Sequence, residues 1–285
     1  MIPIALACLA LLADDAEIAG PLVEKGAKVV EAKGVVTTLD AADCTKWTEE
    51  DFRQLGRLVH LKSLSLGPGV NDQTLTLLAG LPELESLQTN LSQVTDDGMK
   101  LLLPLARLKI LKFFHPAKAF TGTGLAHLAD HPALERLTVA GSLSFGDEGM
   151  AAVAKLTNLK ELRTWHAGQT IEGVRKLKDL KNLKSLTLGQ RLAYTPPTTL
   201  SDETIAVLVE LKSLESLQLE ESRLTFETLA QLKQLPELKK LTLEGIDLPE
   251  ADVERLRKEL PKVDVKWTKP SEIYLKRINA LFGKP

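Results

Sequence analysis

Two histidines stand four residues apart in this chain, and that spacing can place two imidazoles on one face of a helix, where they could bind a metal ion. They are His127 and His131, and no glutamate lies between them as it does in zinc-protease helices. His131 also falls in a predicted loop. We therefore predict no metal site and no cofactor.

Other catalytic patterns are equally incomplete. The stretch GSLSFG at residues 141–146 has the letters of a serine nucleophile turn in the wrong spacing. The glycine-rich stretches that begin at Gly67 and Gly122 lack the third glycine of a dinucleotide-binding loop, and no phosphate-binding P-loop occurs. These absences favour a protein that is not an enzyme.

The two cysteines bear on the cellular compartment. Cys8 lies in the apolar run MIPIALACLALLA, which is too short to span a bilayer and reads as a signal peptide over residues 1–13. This predicts export to the periplasm or the cell surface. No Lys or Arg precedes the run, so the alternative is a cytoplasmic protein with a buried N-terminal segment. After cleavage Cys44 would be alone, which excludes an internal disulfide and favours a core position.

Composition limits the partners. The chain has 285 residues, of which 44% are hydrophobic and 26% charged, with a formal net charge of −2. A nearly balanced and interspersed charge gives no field that would attract nucleic acid or anionic lipid. We therefore expect a folded, soluble chain, with a monomer as the expected state, whose partner is neither nucleic acid nor a lipid surface.

The chain repeats itself. Segments such as HLKSLSLGP, NLKELRTWH and ELKKLTLEG share an L-x-x-L-x-L pattern, and eight of them occur. Their first leucines are separated by 23, 24, 26, 25, 24, 31 and 24 residues. Those leucines are Leu61, Leu84, Leu108, Leu134, Leu159, Leu183, Leu214 and Leu238.

Each repeat predicts a strand followed by a short helix. The alternation at the end of the pattern is typical of a strand, and an apolar-spaced run of eight or nine residues follows a turn. Hydroxyl residues precede the helices as predicted N-caps, namely Thr95, Thr121, Ser201 and Thr225. Acidic residues follow them where the helix dipole favours negative charge, namely Asp96, Asp97, Asp202 and Glu203.

These units resemble leucine-rich repeats, and most closely the Thr-Asp-bearing class found in ribonuclease-inhibitor-like and bacterial exported proteins. The resemblance covers residues 34–267. It implies an α/β leucine-rich-repeat solenoid, a curved horseshoe with a parallel β-sheet on the concave face and short helices on the convex face. The family also implies recognition of a protein on the concave face.

The ends predict caps. Residues 14–60 form an N-terminal cap and a degenerate first repeat, residues 61–260 hold eight repeats, and residues 261–285 form a last strand and an amphipathic tail helix. We expect a hairpin that turns at residues 32–34 and a first helix capped by Thr48, with Trp267 as a lid at the other end. The tail helix either folds back on the last repeat or docks on a partner, and four apolar residues are expected on one face: Ile273, Ile278, Leu281 and Phe282.

Aligning the repeats predicts which side chains face the concave side. Three outward columns run across the strands, and their ends are small and polar while their centre is not. One column places Phe114 and Trp165 on either side of Ala140. The candidate partner-binding residues are Lys112, Phe114, His115, Arg136, Arg163, Trp165, His166 and, in a seven-residue insert, Tyr194.

Three interpretations of the central aromatics stay open at this point. They form a binding patch, Trp165 turns inward to cover Thr164, or the two rings lean over Ala140 without a ligand. We take the first as the leading hypothesis, which makes the chain a non-enzymatic binding module. The alternative function is structural, through assembly of solenoid edges or through the C-terminal helix.

Overall fold

The alternating residues of each repeat form one strand of a single sheet. A computed structural model describes residues 14–191 and 195–284, and in these ranges eleven strands pair in chain order. The first pair is antiparallel and every later pair is parallel. The strands are β1 Lys28–Ala32, β2 Val35–Ala41, β3 Ser63–Leu66, β4 Ser86–Asn90, β5 Ile110–Phe114, β6 Arg136–Ala140, β7 Glu161–Trp165, β8 Ser185–Gly189, β9 Ser216–Glu220, β10 Lys240–Glu244 and β11 Asp264–Thr268.

The helices between the strands are shorter than the repeat pattern predicts. Several have only four to seven residues, and some repeats have a 3₁₀ helix instead of an α-helix. The α-helices are α1 Asp15–Glu24, α2 Glu49–Leu55, α3 Asp72–Leu77, α4 Asp147–Val153, α5 Ile171–Arg175, α6 Asp202–Leu208, α7 Phe226–Leu229, α8 Glu250–Glu259 and α9 Glu272–Phe282. The 3₁₀ helices are Leu78–Gly80, Asp97–Leu102, Thr123–Leu128, Lys176–Asp179 and Ala230–Gln234.

The core is a ladder of leucines between the sheet and the helices. The central leucine of each repeat strand is at most 1% exposed, and each lies beside its neighbour in the next strand. These residues are Leu64, Leu87, Leu111, Leu137, Leu162, Leu186, Leu217 and Leu241. No single repeat could bury such a face alone, so the stack is what makes each unit stable.

The middle repeats have an aromatic core. The rings of Phe113 and Phe120 have centroids 4.7 Å apart, and Phe145 stacks on Phe120 at 6.5 Å. All three are fully buried. A Cβ on Gly122 would lie 2.4 Å from the Phe145 ring, so the ring occupies space that a side chain there would need. The core is therefore bulkiest beneath strands β5 and β6.

Aspartates at the starts of four helices link their repeat to the next one. Asp96 accepts hydrogen bonds from the backbone N–H (3.1 Å) and the hydroxyl (2.6 Å) of Thr121, and from the N–H groups of Gly122 and Gly124. Asp72 accepts the same pair of bonds from Thr95. The prediction that Thr95 caps its own helix is wrong, because Asp96 holds the N-cap position there without a side-chain capping bond. The predicted cap Thr225 is confirmed, since its hydroxyl accepts from the Thr228 N–H and also donates to Asp202.

Hydrogen bonds give Asp96 a low pKa. Burial raises the pKa of its carboxyl, but the bonds from Thr121, Gly124 and Thr123 outweigh burial and hold the pKa below its ordinary value. The same arrangement recurs where Asp147 accepts from Thr170 and Asp202 accepts from Thr225.

The N-terminal elements agree with their predictions. β1 and β2 form the expected hairpin, and Thr48 caps α2 in a reciprocal capping box with Asp51. The Lys25 ammonium lies 2.6 Å from the Asp51 carboxylate, which fixes α1 to α2. Cys44 is buried among core residues, and burial raises the pKa of its thiol to about 11.

A buried glutamine anchors the insert that follows β8. The side-chain oxygen of Gln190 accepts a hydrogen bond from the N–H of Thr199 at 2.9 Å, and its amide nitrogen donates to the Leu200 carbonyl at 2.8 Å. The Ser222 hydroxyl donates to that same carbonyl. Tyr194, the contact residue predicted in this insert, lies outside the described residues.

Candidate functional site

The three predicted outward columns are in register across the sheet. Lys112 pairs with Thr138 and Thr138 with Arg163, while Phe114 pairs with Ala140 and Ala140 with Trp165. Neighbouring strands lie about 4.8 Å apart, so residues two strands apart are separated by about 10 Å at the backbone. The sequence alignment of the repeats therefore placed these residues correctly.

Phe114 and Trp165 form an edge-to-face pair in the middle of the sheet. Their ring centroids are 6.1 Å apart and the planes meet at 61°. Both rings are half-buried, and Ala140 between them is only 2% exposed because the rings cover it. This geometry is the favourable one for two aromatic side chains.

Trp165 does not turn inward. The inward neighbour Thr164 is fully buried, and its hydroxyl accepts a hydrogen bond from the Gln169 side chain at 3.0 Å. The polar side chain in the leucine position is thus satisfied by the turn that follows β7. The interpretation in which the indole covers Thr164 is wrong.

Two glycines make room for the residues of this patch. A Cβ on Gly189 would lie 2.4 Å from the Cβ of Trp165, and a Cβ on Gly141 would lie 2.4 Å from the imidazole of His115. Gly141 also has a φ of 70°, in the left-handed region that favours glycine. The positions of the indole and of the imidazole therefore depend on glycine in the next strand.

Arg163 lies against the aromatic pair. Its guanidinium carbon is 5.5 Å from the centre of the Trp165 ring, within reach of a cation–π interaction. Its Nε is buried and has no hydrogen-bond partner among the described residues. The nearby Arg136 has its Nε 3.8 Å from the Glu161 carboxylate, which is too long for a hydrogen bond.

An acidic group borders the patch on the C-terminal side. Glu220 and Glu244 occupy the same column as Trp165, and the Gln218 amide donates to both carboxylates at 2.7 and 3.1 Å. Burial raises the pKa of Glu220, and the negative charge of Glu244 raises it further. The concave face therefore has a cationic centre beside an acidic flank.

The charges at the start of the strands are paired with one another. Glu215 bonds Lys184 at 2.8 Å and Lys239 at 2.7 Å, and these two bonds lower its pKa to about 2. Lys160 bonds Glu135 at 2.6 Å in the same row. At this border of the sheet the positive and negative side chains pair with one another, whereas Lys112 and Arg163 at the centre have no such pair among the described residues.

Comparison with known proteins supports the fold. No protein-family model matches the chain. The leucine-rich-repeat ectodomain of the Arabidopsis receptor kinase HAESA, in complex with an N-terminally extended IDA peptide hormone, aligns over 83% of this chain and 42% of its own, with 18% identity and a TM-score of 0.50. The chain is a leucine-rich-repeat solenoid. The predicted fold class is thus confirmed.

Two further proteins are similar to parts of this solenoid. An internalin of Listeria monocytogenes aligns over 77% of this solenoid and 57% of its own chain, with 22% identity and a TM-score of 0.46. A putative adenylate cyclase regulatory protein of Trypanosoma equiperdum is 30% identical over 141 residues, which is 49% of this solenoid and 21% of that protein. The solenoid spans less than two thirds of the length of each protein compared.

The two histidines of the patch have different surroundings. His115 is exposed, with Nδ1 3.3 Å from the Asn90 side-chain oxygen. His166 has Nε2 2.9 and 3.0 Å from the two carboxylate oxygens of Glu221. Both adopt a left-handed backbone, with φ values of 47° and 50°. His166 is therefore held by an acid two repeats away, whereas His115 is open to solvent.

Of the histidines His127 and His131, His131 belongs to the core. His131 is buried, and its Nε2 lies 3.2 Å from the Leu105 carbonyl oxygen. Burial lowers its pKa. Across residues 14–191 and 195–284, no cluster of three His, Cys, Asp or Glu side chains could hold a metal ion.

The C-terminal helix α9 folds back on the solenoid. Arg223 donates to the Asn279 side chain at 2.7 Å and to the Gly283 carbonyl at 2.6 Å. Ile278 is buried, but Ile273 is 65% exposed, so the prediction that both lie on the packed face is wrong. No helix in the described part of the solenoid is long and apolar enough to cross a bilayer.

Sequence reasoning missed the acidic side of the patch. Glu220 and Glu244 stood in the predicted third column, but they were counted among its polar ends. Nothing in the sequence pattern indicated that Glu221 and Tyr274 lie close together, because Tyr274 reaches the sheet only through the fold of α9. The nearby charge of Glu221 and burial raise the pKa of Tyr274.

Proposed function

We propose that this solenoid is a non-enzymatic binding module that holds a protein or peptide segment on its concave face. The observation on which the proposal rests is the half-buried Phe114–Trp165 pair at the centre of the sheet, with Arg163 against the indole. Aromatic and arginine side chains at the centre of a surface are the composition of a binding hot spot.

The cations around the pair support the same assignment. Lys112, Arg136 and Arg163 lie on three adjacent strands, while the charges at the border of the sheet neutralise each other. His115 and His166 extend the contact surface past the strand ends, and Tyr194 belongs to it if the insert reaches the ligand. The HAESA ectodomain, which shares the fold, is in complex with a peptide hormone.

Export remains a prediction, because residues 1–13 lie outside the described residues. Whether the protein is exported determines which partners are available to the solenoid. N-terminal sequencing of the protein from its native host tests it directly.

The proposed function is tested by quantitative affinity capture of partners from the native compartment. Trp165→Ala and Arg163→Glu should each reduce the captured partner at least tenfold, because each removes a central contact. Ser86→Ala is the matched control on the same face, two strands beyond the central strand β6, and should capture as the wild type does. Unchanged capture by both site variants refutes the proposal.

A further inference from the structure

The central cations have unused hydrogen-bond capacity. Among the described residues, no carboxylate forms a hydrogen bond or a close ion pair with Lys112 or Arg163, and the charge of Arg163 acts on Glu220 only at longer range. The Arg163 Nε–H is buried without an acceptor, and an unmet buried donor costs about 1–3 kcal/mol. A ligand carboxylate between the two side chains, above Thr138, would give both cations a partner.

Within the part of the chain that the structure describes, the acidic flank, Glu220 and Glu244, lacks a positively charged partner of its own. Glu220 is half-buried beside Glu244, and two carboxylates held together repel each other. Gln218 donates one amide to the pair, which leaves the negative charge in place. Exposed Lys269 also lines the 190 Å³ cavity at this flank, together with Glu221 and Tyr274. Because His166 pairs with Glu221, the carboxylates of Glu220 and Glu244 against one ammonium are what leave the cavity negative.

The distance between the two charged zones fits a short extended peptide. Thr138 on β6 is in register with Gln218 on β9, three strand spacings or about 14 Å away, and Glu220 lies two residues or about 7 Å further along β9. The two charged zones are therefore about 16 Å apart. An extended peptide advances about 3.4 Å per residue and places residues i, i+2 and i+4 on one face. Residue i+4 therefore lies about 14 Å from residue i, and its long basic side chain covers the remaining distance of about 2 Å to Glu220. Residue i+2 falls near Trp165.

We propose that the concave face selects an extended peptide with an acidic residue held by Lys112 and Arg163, an apolar residue against Trp165, and a basic residue at Glu220 and Glu244. The acidic and basic residues of the ligand are four positions apart. This inference rests on the proposed function and adds the chemistry of the partner. A polyanion such as nucleic acid is disfavoured because the acidic flank would repel it.

The test is a phage-displayed library of random twelve-residue peptides, selected on the wild-type solenoid and counter-selected on Trp165→Ala. Enriched peptides should contain the acidic–apolar–basic pattern at least tenfold more often than the input library. Their synthetic versions should bind at least tenfold more weakly to Arg163→Gln and to Glu220→Gln.

Double-mutant cycles then identify the pairs. Replacing the acidic residue of the peptide by Gln should abolish most of the effect of Arg163→Gln and leave the effect of Glu220→Gln unchanged. Replacing the basic residue should do the reverse. Glu220→Gln keeps the size of the side chain, whereas Arg163→Gln shortens it and removes the contact with Trp165, so the loss of the Arg163→Gln effect with the Gln-substituted peptide is what identifies the charge pair.

The outcomes of the selection distinguish failure of the proposed partner chemistry from failure of the proposed function. Peptides that depend on Trp165 but lack the charge pattern would overturn the partner chemistry and leave the binding module standing. A library without any Trp165-dependent peptide would overturn both. A dimer that Trp165→Ala dissociates in sedimentation would assign the face to a second copy of the chain instead.

Discussion

The Cβ of Trp165 lies 2.4 Å from the place that a Cβ on Gly189 would take, in the next strand of the sheet. Gly189 also pairs with Glu220 on its other side, so it separates the aromatic patch from the acidic flank. This single position without a side chain allows the indole to lie across the sheet.

Gly189→Ala should therefore displace Trp165. The added methyl group overpacks the site, which costs about 1–3 kcal/mol, and the indole must move away from the sheet. In a background with Trp47→Phe and Trp267→Phe, the fluorescence of Trp165 should change in emission maximum and in quenching by acrylamide. Gly146→Ala is the control, because a Cβ there has only one neighbour, at 4.0 Å. An unchanged Trp165 signal would contradict the assigned contact.

Phe113 and Phe114 are adjacent in sequence, but truncation of Phe113 should cost much more stability than truncation of Phe114. Phe113→Ala removes a fully buried ring and should lower the free energy of unfolding by about 3–5 kcal/mol. Phe114→Ala loses a half-exposed ring and its pairing with Trp165, about 1 kcal/mol. Urea denaturation gives both values. Partner binding, measured at temperatures where both variants are fully folded, should be weakened more by Phe114→Ala than by Phe113→Ala.

The strand register and the position of the aromatic pair could be predicted from the sequence, because the repeats can be aligned with one another. The eight leucines fixed the strand register, and the register placed Phe114 beside Trp165. The sequence could not show that Thr95 bonds Asp72 in the preceding repeat, because a cap and a cross-repeat bond use the same residue types. It also missed Glu221 and Tyr274, since their proximity depends on how α9 folds back rather than on the repeat.

Asp96 should make stability depend on acid. Its folded pKa lies below the ordinary value of 3.8, so its contribution is complete above that value and is lost as the pH falls through the folded pKa. Asp96→Asn should cost about 2 kcal/mol at neutral pH and flatten the loss of stability in acid. Asp97→Asn is the control, because that side chain is 85% exposed. Equal acid profiles for Asp96→Asn and wild type would contradict the role of the carboxylate.

Cys44 should resist thiol reagents in the folded protein. Burial raises the pKa of its thiol to about 11, which leaves little thiolate at pH 8, and the sulfur is shielded from solvent. In a Cys8→Ser background, labelling should become fast only when urea unfolds the N-terminal repeats. Fast labelling of the native protein would show that this cap opens.

Arg223 should hold the C-terminal helix in place. Its guanidinium contacts Asp247 on one side and Asn279 and the Gly283 carbonyl on the other, so it joins the turns after β9 and β10 to the end of α9. Arg223→Ala removes these bonds, and α9 has few buried side chains besides Ile278 to replace them.

The expected result is faster hydrogen exchange over residues 272–282, with the exchange of strands β3 to β8 unchanged. Lys276→Ala is the matched control, since its side chain is exposed on the same helix. Arg223→Lys should resemble Arg223→Ala, because one ammonium cannot reach three acceptors that a planar guanidinium spans. Protection of α9 in the Arg223→Ala variant equal to that of the wild type would mean that apolar packing alone fixes the helix.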